Sequence, residues 1–124
     1  MSRAGDSDKT PLAPANGFVT GSATVVQYER DGAWVVVASG AYDLESISPL
    51  AEALEIAAKK QPRVVVDASG LSFADSTFLN LLLRIRRLTE LRVAAPPRQL
   101  LRILEMTGAD TVLDVRGTVK DALT

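Results

Sequence analysis

Phe73-Ala74-Asp75-Ser76-Thr77-Phe78 puts two hydroxyls directly after a carboxylate, where the chain changes character. Upstream, Arg63-Val64-Val65-Val66-Asp67 is a Val-rich run of the kind that forms a strand buried on both faces. Downstream, Leu79 to Leu91 is rich in leucine and arginine and has neither proline nor glycine, so it reads as a helix. The chain therefore turns from strand to helix around Asp75-Ser76. That turn sets a serine hydroxyl at or near a helix N-terminus, at one end of a sheet. Such loops are where α/β proteins display their working residues. Locally, a plain N-cap accounts for Ser76, because serine bonds the free backbone N–H groups at helix starts.

What the chain lacks limits that chemistry. There are 124 residues, no histidine and no cysteine. A Ser-His-Asp triad, a His/Cys zinc site and the usual general base near neutral pH are all excluded. Carboxylates and lysines remain, but catalysis by this chain alone is not expected, and no cofactor is implied. No Gly-x-x-x-x-Gly-Lys-Ser/Thr sequence is present, so nothing supports a nucleotide site.

Formal net charge is −1, which gives no global attraction to nucleic acid or an anionic membrane. Between Leu81 and Arg102 six arginines face one acid, Glu90. No aromatic residue interleaves them, so a solvated basic face is expected rather than a nucleic-acid patch. The longest apolar run, Ala33 to Ala38, is far too short to span a bilayer. With no apolar signal core at its N-terminus and no disulfide framework, the chain is expected to be a soluble cytoplasmic protein.

The elements that must position the turn follow from patterning. Residues 1–21, with Gly5, Pro11, Pro14 and Gly17 and few large apolar side chains, are expected to be a flexible tail. Residues 22–124 then form one domain, large enough to bury roughly two-thirds of its unfolded surface. Ala23–Arg30 and Ala33–Ser39 flank Asp31-Gly32, a strong two-residue hairpin signal, and Gly40 is expected to end the second strand. A helix follows from Pro49 to Lys60, with Ser48 as its N-cap and Ile47, Leu50, Ala51, Leu54, Ala57 and Ala58 as its buried stripe.

The Val64–Asp67 strand comes next, and Ala68–Ser72 is expected to be a loop leading into the central turn. The helix after Ser76 is expected to bury Leu81, Leu82, Ile85 and Leu88, with Phe78 near its start. Leu91–Ala95 reads as a strand. Arg98–Thr107 reads as a helix with Leu100, Leu101 and Leu104 inward, stopped by Gly108. Val112–Val115 is a last short strand, and Thr118-Val119-Lys120-Asp121 resembles a capping box that opens a terminal helical turn. The fold class is α/β, one small domain with a mixed sheet of about five strands and about four helices. Its initial hairpin is antiparallel and its later strands are parallel.

In this order, Gly40-Ala41-Tyr42-Asp43, Val64-Val65-Val66-Asp67, Leu71, Phe73, Asp75-Ser76-Thr77 and a proline before the helix that Gly108 ends resemble the STAS domain. More narrowly, they resemble the bacterial anti-sigma factor antagonists, over about Ala23 to Thr124. The resemblance implies a switch in transcription regulation that works by protein–protein binding. The unphosphorylated antagonist binds an anti-sigma factor that is also an ATP-dependent serine kinase, and so frees a sigma factor. Phosphorylation weakens binding, and a serine phosphatase resets the cycle.

By position the resemblance makes Ser76 the phosphoacceptor, with Thr77 as runner-up. It places Asp43, Asp75, Ser76, Thr77 and Phe78 at the partner-binding surface, with no nucleic acid and no direct membrane contact. Phosphate oxygens on Ser76 are expected to be partly accommodated by free N–H groups at the helix start. Two departures stand out. Phe78 occupies a position where the family often has glycine, and it is expected to pack inward. The link from Leu88 to Leu91 lacks the family's Gly-rich turn. Two rival functions remain: an unphosphorylated accessory or scaffold subunit, in a signalling assembly or beside a membrane transporter, or a hydrolase using Ser76.

Overall fold

The computed structural model describes residues 23–124. The expected tail, residues 1–21, lies outside them. The first two strands, β1 (Thr24–Arg30) and β2 (Ala33–Tyr42), form the expected antiparallel hairpin, in register from Thr24 opposite Ser39 to Arg30 opposite Ala33. Asp31 and Gly32 have φ of 51° and 82°. A tight two-residue turn needs both in the left-handed region to match the strand twist. The Glu29 carboxylate accepts the Gly32 N–H at 3.1 Å, which closes the turn.

The remaining elements are α1 (Ser48–Lys60), β3 (Arg63–Ala74), α2 (Ser76–Arg86), β4 (Glu90–Ala94), α3 (Arg98–Thr107), a 3-10 turn (Ala109–Thr111), β5 (Asp114–Arg116) and α4 (Val119–Ala122). The sheet runs β1-β2-β3-β4-β5 in space, as in sequence, and every pair after the hairpin is parallel. Because the crossovers all step in one direction with one hand, their helices must fall on one face. One core accordingly joins Leu50 and Leu54 of α1, Phe78, Leu82 and Ile85 of α2, and Leu100 and Leu104 of α3 to Val36, Val64, Val66 and Val93 of the sheet. The other face carries Ala33, Val35, Val65 and Ala94, and α4 covers them with Ala122 and Leu123.

Several boundaries differ from the sequence expectations. Gly40 does not end β2. It lies within the strand at φ 92°, beside one of two register shifts against β3. The segment expected to loop after Asp67 is strand as far as Ala74, because β2 pairs with it from Gly70 opposite Ser39 to Ala74 opposite Tyr42, with one register shift that leaves Ser72 unpaired. Gly70 serves this close approach and makes no turn. A Cβ there would lie 2.7 Å from Ser39 Oγ.

Helix ends also differ in detail. Ile47 is the N-cap residue of α1 and Ser48 its first residue, with no side-chain cap. Helix α2 ends at Arg86, so Leu88 turns outward and is 53% exposed. Leu101 is only half-buried. Strand β5 begins two residues later than expected. Thr118 caps α4 by accepting the Asp121 N–H at 3.0 Å, but among the described residues the Asp121 side chain returns no bond. That is half a capping box.

The basic stretch is not one face. Arg92 lies on the sheet side that α4 covers and is 8% exposed. Its Nη1 donates to the Ala122 carbonyl oxygen at 2.8 Å, and its Nη2 donates to Glu90 at 3.0 Å. Its Nε lies 3.4 Å from Asp114 Oδ2. Arg84 is bound to Glu55 at 2.7 Å, and Arg86 Nε donates to the Val112 carbonyl oxygen at 2.8 Å. Arginine's five donors suit such multi-partner bracing.

Candidate functional site

The site is built where β2 and β3 end together. Tyr42 pairs with Ala74, so Asp43 and Asp75 leave the sheet from adjacent strands, which run about 4.8 Å apart. The two acids then act differently. Asp75 is the N-cap of α2, with extended backbone, and its Oδ1 accepts the Thr77 N–H at 2.9 Å. Ser76 is therefore the first helical residue and does not cap the helix. Its side chain is exposed and has no hydrogen-bond partner among the described residues.

The remaining donors of that first turn are committed. Phe78 N–H and Leu79 N–H both reach the Asp75 carbonyl oxygen, at 3.1 and 3.2 Å. Only the Ser76 N–H is left without a protein acceptor among the described residues. This narrows the expectation that free N–H groups would partly accommodate a phosphate to that single group. The carboxylate one residue ahead has taken the place such a ligand would use.

Phe78 fixes the turn from below. It is fully buried, and its ring lies 5.8 Å from that of Tyr42, tilted by 48°. Such tilted aromatic pairs add to simple burial. The ring packs inward, so its side chain is not part of an exposed partner surface, which corrects its inclusion there. Tyr42 is itself buried and donates its hydroxyl to the Thr24 carbonyl oxygen at 2.6 Å. Desolvation raises the Tyr42 pKa, which keeps the phenol a neutral donor.

Asp43 organises a loop. Its Oδ1 accepts the Glu45 N–H at 3.0 Å, the Ser46 N–H at 3.1 Å and the Ser46 hydroxyl at 3.1 Å. Ser46 Oγ in turn accepts the Asp43 N–H at 2.9 Å and lies 3.3 Å from the Ala41 carbonyl oxygen. The Ser46 backbone N–H and then its hydroxyl hold the Asp43 carboxyl below the ordinary aspartate range. The loop thereby presents Leu44, whose side chain is 76% exposed.

Between this loop and α2 lies an open groove of about 310 Å³, lined by Leu44, Ile47, Ala51, Thr77, Asn80 and Arg84 among others. Thr77, Asn80, Leu81 and Arg84 fall on one stripe of α2 by their spacing of three and four. Thr77 thus lines a groove that Asp43 borders indirectly, through Leu44, and Ser76 directly precedes it in the chain. Sequence patterning pointed to neither Leu44 nor Asn80. An exposed leucine inside a loop motif was the available signal.

The arrangement offers a free hydroxyl on a rigid corner beside a partly apolar groove. The neighbouring carboxylate, Asp75, is engaged with the Thr77 N–H. No group of acidic side chains among the described residues could hold a metal ion, and no described helix is long and apolar enough to cross a membrane.

A mixed sheet in sequential order, three helices on one face and a serine opening α2 are the architecture of a STAS domain. The family described as "Mlab, STAS domain" matches residues 26–116, and the chain belongs to it. Among solved structures, an anti-sigma factor antagonist from Mycobacterium paratuberculosis superposes with a TM-score of 0.76 at 29% identity, covering 82% of this chain and 92% of that one. An anti-sigma-factor antagonist (STAS) domain protein from Planctomyces limnophilus gives 0.67 at 21% identity, over 80% and 93% of the two chains. The Bacillus cell fate determinant SpoIIAA in its phosphorylated form gives 0.64 at 15% identity, over 81% and 96%. The latter two share the fold. No curated protein matches the chain.

Proposed function

We propose that this protein is an anti-sigma factor antagonist whose binding to an anti-sigma factor with serine kinase activity is switched off by phosphorylation of Ser76. The observation that carries this reading is the division of labour at α2. Asp75 does the capping, so the Ser76 hydroxyl is exposed and unengaged among the described residues, directly before Thr77, which lines the groove. The Mycobacterium relative is an anti-sigma factor antagonist, and the Bacillus relative has been solved phosphorylated, which supports the same reading. The kinase supplies ATP and the base, so the absence of histidine here is no obstacle.

A phosphate at Ser76 adds about −1.5 to −2 charges next to the Asp75 carboxylate. With the other first-turn N–H groups already bonded, water solvates most of it in the free protein. A docked partner must strip that water away. Burying a charge without pairing it costs several kcal/mol, on the order of the whole affinity of a modest complex. Phosphorylation therefore ejects the partner while leaving the fold intact, and a serine phosphatase restores binding.

The test is capture from a lysate of the source cells by wild type, Ser76→Ala and Ser76→Asp, with mass spectrometry of bait and prey. An ATP-binding serine-kinase prey held by wild type and Ala but lost with Asp, with phosphate on wild-type Ser76, is the expected result. Equal capture by all three with Ser76 unmodified would overturn the reading. It would favour an accessory subunit that does not use this serine.

A further inference from the structure

The Ser76 corner is also held from behind, by a residue on a different helix. Arg63–Asp67 of β3 pair with Glu90–Ala94 of β4, but from Gly70 onward β3 pairs, among the described residues, with β2 alone. At the last strand residue, Ala74, the backbone N–H and carbonyl oxygen both turn to the vacant side. Both meet Gln99, in the first turn of α3. The Ala74 N–H donates to Gln99 Oε1 at 3.1 Å, and Gln99 Nε2 donates to the Ala74 carbonyl oxygen at 2.6 Å.

One carboxamide thus makes the two bonds that a neighbouring strand would have made. Ala74 is fully buried, so these groups are poorly placed to turn to water instead. The carbonyl that Gln99 grips belongs to the peptide that leads into Asp75, the cap of α2. Among side chains of this length only a carboxamide offers a donor and an acceptor together. A carboxylate accepts only, and would set its charge against the Ala74 oxygen.

We propose that Gln99 is a positioning residue for phosphoryl acceptance at Ser76. This assignment rests on the reading of Ser76 as the phosphoacceptor. In the transfer, Ser76 Oγ forms a bond to the γ-phosphorus of ATP as the bond to the β,γ-bridging oxygen breaks. ADP leaves with that electron pair, and the hydroxyl proton passes to the kinase's base. In-line transfer depends on where Oγ sits, and misplacement of about 1 Å can cost up to a hundredfold. Gln99 fixes that place through Ala74 and Asp75 without touching the reacting atoms.

The test uses the full chain as wild type, Gln99→Glu and Gln99→Met, at a temperature where all three are folded by circular dichroism. Each is incubated with γ-labelled ATP in lysate of the source cells, and label on Ser76 and kinase retained on the bait are measured separately. Gln99→Glu and Gln99→Met are expected to take label roughly tenfold more slowly while retaining the kinase like wild type. In the free variants, NMR signals of Asp75, Ser76 and Thr77 should shift or broaden, while those of α1 and β5 hold. A merely structural role would lower stability without this local change or the split between capture and transfer. Equal labelling of all three overturns the assignment of Gln99 alone. No label on wild-type Ser76 overturns the phosphoacceptor reading, and the Gln99 assignment falls with it.

Discussion

Two short segments of this protein pair an aspartate with a serine at the same end of the sheet, yet they arrange the pair in opposite ways. In Asp43–Ser46 the serine hydroxyl is enclosed by the Asp43 N–H, the Asp43 carboxylate and the Ala41 carbonyl oxygen. In Asp75-Ser76 the aspartate turns away to the Thr77 N–H, and among the described residues the serine is left unengaged. Spacing decides the outcome. Three residues apart, the two side chains meet across a turn. Directly adjacent, one caps the helix and the other projects from its first residue. The first serine is structural, and the second is exposed.

The largest effect is expected where the two segments share a foundation. The Tyr42 ring lies just before Asp43, and the Phe78 ring supports the turn after Asp75. Phe78→Ala should cost about 3–5 kcal/mol in denaturant unfolding. It should also loosen both segments in hydrogen exchange, and loosening of only one would show that the rings do not couple them. Next, Ser46→Ala removes the enclosed hydroxyl and should cost about 1–2 kcal/mol, with the change confined to residues 43–46 in NMR spectra.

The Asp43 carboxyl offers a finer test. Its folded pKa lies below the unfolded value, so its contribution is complete above about pH 4 and is lost as pH falls through the folded value. Titration followed by carboxyl carbon shifts should give a midpoint lower than that of a free aspartate. Ser46→Ala should move that midpoint partway back up. An ordinary or raised midpoint in wild type would contradict the bonded loop. The smallest effect is reserved for Ser76→Ala, which should change stability by no more than about 0.5 kcal/mol. A cost like that of Ser46→Ala would erase the contrast between the two serines.

Much of this architecture is written in local patterns. Asp-Gly between β-rich runs specifies a hairpin, and spacing of leucines at three and four specifies which helix faces go inward. Asp75-Ser76 marks the strand-to-helix corner without saying which of its two oxygen-bearing side chains will cap. The features that were not legible depend on neighbours distant in sequence. Ala68–Ala74 has loop-like composition, with Ser69, Gly70 and Ser72, and becomes strand because β2 lies alongside. Arg92 looks like one member of a basic stretch, and becomes a buried brace because α4 returns its Ala122 carbonyl to the sheet. Gln99 looks like a wet residue on an amphipathic helix. Its partner lies 25 positions earlier, and no periodicity reveals it.

The strand order, identical in space and in sequence, bears on how the chain acquires its shape during synthesis. Each new strand can add to an edge that has already formed, and no strand must wait for a later one to bridge a gap. Contacts of modest sequence separation close at small entropic cost, so such a sheet can assemble one edge at a time as the chain emerges. The Ser76 corner is the exception. Its strand, β3, can pair with β2 at once, but the Ala74 backbone groups wait for Gln99. A growing chain would hold β1 to β4 first and the Ser76 corner only after α3 had docked.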